Sequence, residues 1–266
     1  MPDALVLASQ DGPVLTLTLN RPAALNSFNG AMHEQLRAAL DAAASDAAVR
    51  CVILTGAGRG FCAGQDLADP MVAPSPAGEP PKDLSRAIEL HYTPLVKRLK
   101  SMPVPVIAAV NGVAAGAGAN LALNCDLVLA AQSASFIQAF AKIGLVPDTG
   151  GTWLLPRIVG RARALGLAML GDKLSAAEAE RIGLIWKCVD DAALADEARK
   201  LAGRLAAMPV KALAATRAAI DAAQHFTLDQ ALDHEAALQA ELGRAHDYLE
   251  GVAAFGAKRA PQFTDR

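Results

Sequence analysis

The residues of this chain most able to do chemistry lie among glycines. Ala109-Val-Asn-Gly-Val-Ala-Ala-Gly-Ala-Gly-Ala-Asn-Leu-Ala-Leu-Asn-Cys-Asp126 follows an apolar run from Pro105 to Val110 and leads into an Ala/Leu-rich segment. That order reads as buried strand, glycine turn, helix start. Gly112, Gly116 and Gly118 permit positive φ and close approach, and the first amides of a helix have no partner inside it. Such amides can hold negative charge, either a phosphate or an oxyanion that develops during a reaction. A second glycine-rich loop, Gly58-Arg-Gly-Phe-Cys-Ala-Gly-Gln-Asp-Leu67, also stands directly after a strand-like run. Ligands in α/β folds sit at strand ends. A third stretch, 136–152, places the carboxylate Asp148 between Pro147 and the pair Gly150-Gly151 in otherwise apolar sequence. Burial there would raise its pKa.

Several chemistries fail on spacing. Gly116-Ala-Gly118 starts like a dinucleotide fingerprint, but the third glycine position is Leu121, and no GxxxxGK[ST] loop occurs. No GxSxG elbow offers a serine nucleophile. His33, His91, His225, His234 and His246 are scattered, mostly in helical patterns where a solvated ring is expected, so no metal site is expected. Cys51, Cys62, Cys125 and Cys188 form no CxxC pair and are expected to be small buried residues. A tight structural turn would account for one glycine loop; it accounts less well for two loops and an isolated Asp. For Asp66 and Asp126 a cap or turn role is favoured.

These groups need elements to position them. The 266 residues allow one large domain, or a domain with an appendage. The net charge of −2 gives no basic field for nucleic acid, and no charge-free apolar run is long enough for a membrane span. The start, Met1-Pro-Asp-Ala, lacks the pattern of a secretory signal, so a cytoplasmic location is the expectation. Val14 to Leu19 alternates as a half-buried strand, 29–44 repeats as a helix, and 49–55 reads as a second strand. The proline-rich excursion 71–82 is expected to be mobile. Further helices are expected over 84–100, 152–170 and 175–182, the last opened by a Ser175/Glu178 capping box. Helical pattern then covers 199–205, 210–223 and 228–249, and a composition shift near 200 marks a helical appendage.

Four motifs in order, Asn20-Arg-Pro-Ala-Ala-Leu-Asn26, Gly60-Phe-Cys-Ala-Gly-Gln-Asp-Leu67, Ala109-Val-Asn-Gly112 with its glycine loop, and Gly144-Leu-Val-Pro-Asp-Thr-Gly-Gly-Thr152, resemble the enoyl-CoA hydratase/isomerase (crotonase) family. The resemblance implies an α/β spiral of ββα units over 1–199 and a helical trimerisation region over 200–266, with trimers commonly paired into hexamers. It implies an acyl-CoA thioester as substrate and no separate cofactor, coenzyme A being part of the substrate. By position, the backbone amides of Gln65 and Ala117 would form an oxyanion hole, with Ala63 and Gly116 beside them. Ala23, Ala24, Leu25, Asp66 and Leu67 match positions that meet coenzyme A, and Lys258 with Arg259 could meet its phosphates or be a solvated tail. Hydratases of the family carry two glutamates where this chain has Asn120 and Phe140, neither of which can act as a base. Asp148 matches the carboxylate of isomerase-type members. The 148–157 segment is most similar to that of members that convert ring-1,2-epoxidised phenylacetyl-CoA to an oxepin in phenylacetate breakdown and also shift 3-enoyl double bonds to the 2-position. The alternatives implied are a plain enoyl-CoA isomerase or hydratase, or a non-catalytic acyl-CoA-binding member.

Overall fold

The computed structural model describes residues 4–266; Met1, Pro2 and Asp3, part of the stretch read for a signal, lie outside the described residues. The alternating run forms β2 (Val14–Leu19), with Leu17 and Leu19 fully buried on one face. Before it comes β1 (Val6–Asp11), antiparallel to β2 across a tight turn. All of β1 beyond Val6 is exposed, so it carries no apolar alternation to reveal it. α1 (Gly30–Ser45) starts where the Asn29 side chain accepts the Met32 amide, and it buries Met32, Leu36 and Leu40 at four-residue spacing.

The chain then winds in repeated units. In the first, β3 (Cys51–Gly56) is followed by β4 (Gly60–Cys62), turns without regular structure, α2 (Ser85–Ala87), a π-helical turn (Ile88–Tyr92) and α3 (Thr93–Lys100). The second has β5 (Val106–Val110), β6 (Val113–Ala115) and α4 (Ala117–Leu123). The third has β7 (Leu127–Ala131), β8 (Ser135–Ile137), a 3-10 turn (Ala139–Ile143) and α5 (Gly151–Leu170). First strands join one sheet in the order β1-β2-β3-β5-β7-β10, where β10 is Lys187–Val189; second strands join another, β4-β6-β8-β9, where β9 is Leu174–Ser175. Within each sheet the strands from successive units pair in parallel. The glycine loop read after Val110 is therefore two strands meeting at Asn111-Gly112, and β6 is too short to show a period.

Beyond the spiral, α5 is interrupted at Gly160 (φ 77°, ψ 159°) rather than continuous. At α6 (Ala176–Arg181) the Ser175 side chain accepts the Glu178 amide, but Glu178 pairs with Arg181, so only half of the expected capping box forms. α7 (Leu194–Ala206) runs across position 199 and buries Ala198, Ala202 and Ala206, so a division at 199/200 cuts a helix seated on the core. α8 (Val210–Ala223) follows, and the expected helix 228–249 is two, α9 (Leu228–Leu242) and α10 (His246–Gly256). Arg217 of α8 reaches Asp126 at 2.8 Å, and Asp126 also accepts the Val106 amide at 2.7 Å. Asp126 is thus structural, as a buried ion-pair partner rather than a cap. Cys51, Cys62 and Cys125 are buried as expected, whereas Cys188 is only half-buried.

What matters for the site is how closely α4 meets β4. A Cβ at Gly118 would lie 2.2 Å from the Cys62 carbonyl oxygen, far inside contact distance. Gly118→Ala must push backbone from backbone, and we expect it to cost ~2 kcal/mol or more in urea denaturation. Unchanged stability would contradict this packing.

Candidate active site

A cavity of about 570 Å³ opens where the second-sheet strands end. Ala63, Gly64 and Gln65 follow β4, Gly116 and Ala117 follow β6, and Ala139 and Phe140 follow β8, and all seven line it. Leu67, Val72 and Pro74 from the turns after β4, Ile88 and Tyr92 from the π turn, and Asp148 complete most of its wall. Leu67 and Val146 are 59% and 75% exposed, which leaves the mouth apolar.

Two amides without acceptors belong to residues of this wall, Gln65 and Ala117. Gly64 has φ +92°, open to glycine, and a Cβ there would lie 2.8 Å from the Ala115 oxygen and 3.4 Å from the Ala117 nitrogen. Phe28 N–H donates to Gly64 O at 2.7 Å and Asp66 N–H donates to Phe28 O at 2.8 Å, which brackets Gln65 and leaves its own N–H without an acceptor among the described residues. The Ala117 N–H, first in α4, likewise has none. Phe140 is buried, with its ring edge 3.7 Å from where a Gly116 Cβ would sit.

Asp148 is the only carboxylate among the described residues that line the cavity. Burial holds its carboxyl above the usual range, opposed by the Thr149 hydroxyl, which donates to Oδ1 at 2.7 Å. Asn120, in contrast, does not line the cavity. It is fully buried, accepts from Gln138 Nε2 at 2.8 Å and donates to the Asp148 carbonyl at 2.8 Å, so it braces the Asp148 loop. One helical turn on, Asn124 donates to the Thr149 carbonyl at 2.9 Å.

Other expected positions lie apart from the cavity. Ala23, Ala24 and Leu25 form a turn, and Asp66 is ion-paired with Arg21 at 2.9 Å; none of them lines the cavity. The Arg21 hydrogen bond holds Asp66 below the ordinary carboxylate range. Lys258 is exposed just beyond α10 with φ +50°. One histidine does stand in an acidic cluster among the described residues. His246, Asp247 and Asp265 cluster, with ligand atoms within 4.8 Å of one another, although Asp247 Oδ1 is already taken by the amides of Thr264 and Asp265.

Tyr92 is the residue that sequence reasoning missed. It is 2% exposed, and its hydroxyl donates to Gln65 Oε1 at 2.8 Å, tying the π turn to one of the two free amides. Behind it, His33 stacks on Phe28 at 4.3 Å and on His91 at 4.8 Å between ring centroids. A tyrosine in a helical pattern carries no mark of this role; only the π turn, which often accompanies functional sites, aims it inward.

The chain belongs to the enoyl-CoA hydratase/isomerase family, whose model matches residues 9–266. It is 56% identical over 261 residues, 98% of each chain, to the 1,2-epoxyphenylacetyl-CoA isomerase of Escherichia coli K12. It is 49% identical, over 94% of each chain, to a probable enoyl-CoA hydratase of Rhodobacter capsulatus. Among solved structures, the enoyl-CoA hydratase of Bacillus anthracis superposes with a TM-score of 0.91 at 33% identity, covering 99% of this chain and 100% of that one. The spiral of ββα units with its helical C-terminal region is thus the crotonase-like fold.

His33 gives a direct check on the packing behind Tyr92. Neither ring nitrogen has a partner among the described residues, and burial, then His91, lowers its pKa from 6.5 to about 3. A histidine depressed in the folded state favours unfolding as pH falls from its unfolded value toward its folded one. NMR should therefore show the His33 ring neutral down to about pH 5; a midpoint near 6.5 would refute the burial.

Proposed function

We propose that the protein is an acyl-CoA isomerase that moves a proton between carbons of an unsaturated thioester. The observation that carries this reading is a lone carboxylate, Asp148, in a cavity also lined by Gln65 and Ala117, whose amides are unpaired among the described residues. In this reading the thioester oxygen lies against the N–H groups of Gln65 and Ala117. As a C2 proton leaves, negative charge builds on that oxygen, and fixed amides stabilise the enolate more than the neutral thioester. Asp148 takes the proton and returns it further along the chain, so a 3-enoyl thioester becomes the 2-enoyl form. A raised pKa suits a group that must both accept and release a proton near neutrality.

The favoured substrate is ring-1,2-epoxidised phenylacetyl-CoA, converted to its oxepin. Identity to the E. coli relative supports it, as do the aromatic walls Phe140 and Tyr92. Hydration is the rival, supported by the hydratase name of the R. capsulatus relative. Against it stand Phe140 at the cavity wall and Asn120 turned away from it, neither able to activate water. A non-catalytic acyl-CoA binder would have no use for the buried carboxylate.

The same reading assigns the coenzyme A moiety to the face bearing Ala23, Ala24, Leu25, Asp66 and Leu67, with Lys258 a candidate phosphate contact, and needs no separate cofactor. It makes the protein a cytoplasmic trimer or dimer of trimers assembled through the C-terminal helices. Tyr248, Leu249, Val252 and Phe255 on α10, between 56% and 88% exposed, are the apolar side chains such an interface would cover.

Asp148→Asn should leave acyl-CoA affinity intact and reduce turnover of the epoxide or of a linear 3-enoyl-CoA by ~10²-fold or more. Retained turnover would remove Asp148 from the mechanism. The wild-type protein should hydrate crotonyl-CoA negligibly, and vigorous water addition would favour the rival. Because the base acts deprotonated and burial raises its pKa, kcat/KM should fall with decreasing pH at a midpoint above the ordinary carboxylate value of about 4.

A further inference from the structure

Thr149 holds an unusual backbone conformation. Its φ is +51°, and it is the only β-branched residue among the non-glycine residues with positive φ in the described chain. For a β-branched residue this is a true outlier, and it persists only where the surroundings enforce it. Here they do. Asn120 in α4 and Asn124 at its C-terminal cap, one turn apart, donate to two successive carbonyls, those of Asp148 and Thr149, at 2.8 and 2.9 Å. Gln138, directly after β8, donates to Asn120 at 2.8 Å, and the Gly151 amide also donates to the Asp148 carbonyl at 2.8 Å. No side chain fits at Gly151, where a Cβ would lie 2.3 Å from Asn120 Nδ2.

The outcome of this brace is the contact from Thr149 Oγ1 to Asp148 Oδ1, 2.7 Å long. Oδ2 has no hydrogen-bond partner among the described residues, and Asp148 lines the cavity. We propose that Thr149 is a positioning residue: its hydroxyl occupies Oδ1 and fixes the carboxylate plane, so that Oδ2 alone takes and returns the substrate proton. A carboxylate free to turn would divide the proton between two oxygens, only one of them aligned with substrate. The inference rests on Asp148 as proton carrier.

Burial raises the Asp148 pKa, and among the groups packed around it the Thr149 hydroxyl is the one that opposes that rise. Tyr92 faces it from the π turn, kept neutral because burial pushes its hydroxyl pKa well up. α4 contributes the uncharged Asn120 and Asn124, and the strand end and turn contribute Gln138 and Phe140. The upward shift of Asp148 comes from burial and is opposed by the Thr149 hydroxyl, with no charged side chain among its causes.

Thr149→Ser and Thr149→Ala both relieve the β-branch and differ by one oxygen, so the pair isolates the hydroxyl. On a linear 3-enoyl-CoA, the Ser variant should stay near wild-type turnover. The Ala variant should lose about tenfold or more in kcat with KM within about twofold. Its acid limb in kcat/KM should move to higher pH, since the lost hydrogen bond favoured the charged carboxylate. Ala and Ser variants with equal kcat and the same pH profile would overturn the proposal. Asp148→Asn separates the two readings: if it is inactive while Ala and Ser match, only the role of Thr149 falls; if it is active, the proton-carrier reading itself falls.

Discussion

The constraint on which the rest depends is the approach of α4 to the end of β4. Main-chain atoms of Gly118 and Cys62 touch with no space for a methyl group, and this contact sets the Ala117 amide against Gly64. Nothing in the side chains of Gln65 or Ala117 is needed to bring the amides together. The two sheets of the spiral make the approach possible, because each unit sends one strand to each sheet and the second-sheet strands end side by side. Fixed dipoles arranged in this way need little reorganisation when charge appears between them.

Much of this was legible in the chain. Asp148 stood out because it is a carboxylate set between proline and paired glycine in apolar surroundings, and the structure places it on the cavity with a raised pKa. The strands β2, β3 and β5 were legible because burial leaves a periodic or continuous apolar mark. The second sheet was not, since strands of two or three residues have no measurable period. β1 was hidden by its exposure, and the break between α9 and α10 was hidden because helical pattern resumes within three residues.

The less legible parts of the site depend on conformation rather than composition. Tyr92 points inward through a π turn, and Thr149 meets Asp148 through a left-handed φ that no threonine announces. Asn120 is the instructive case. Its identity shows that no glutamate stands at position 120, but not that the amide is held between Gln138 and the Asp148 carbonyl. A buried amide with both ends satisfied has no reason to turn toward solvent or substrate.

That placement bears on how one reaction could be exchanged for another on this scaffold. A glutamate at position 120 would lose the donor that grips the Asp148 carbonyl and would set an acceptor-only group against a carbonyl oxygen. An acid at position 120 would thus dismantle the support of the one at 148. The two positions are coupled through one hydrogen bond, so a glutamate at 120 goes with a rebuilt 148–151 loop.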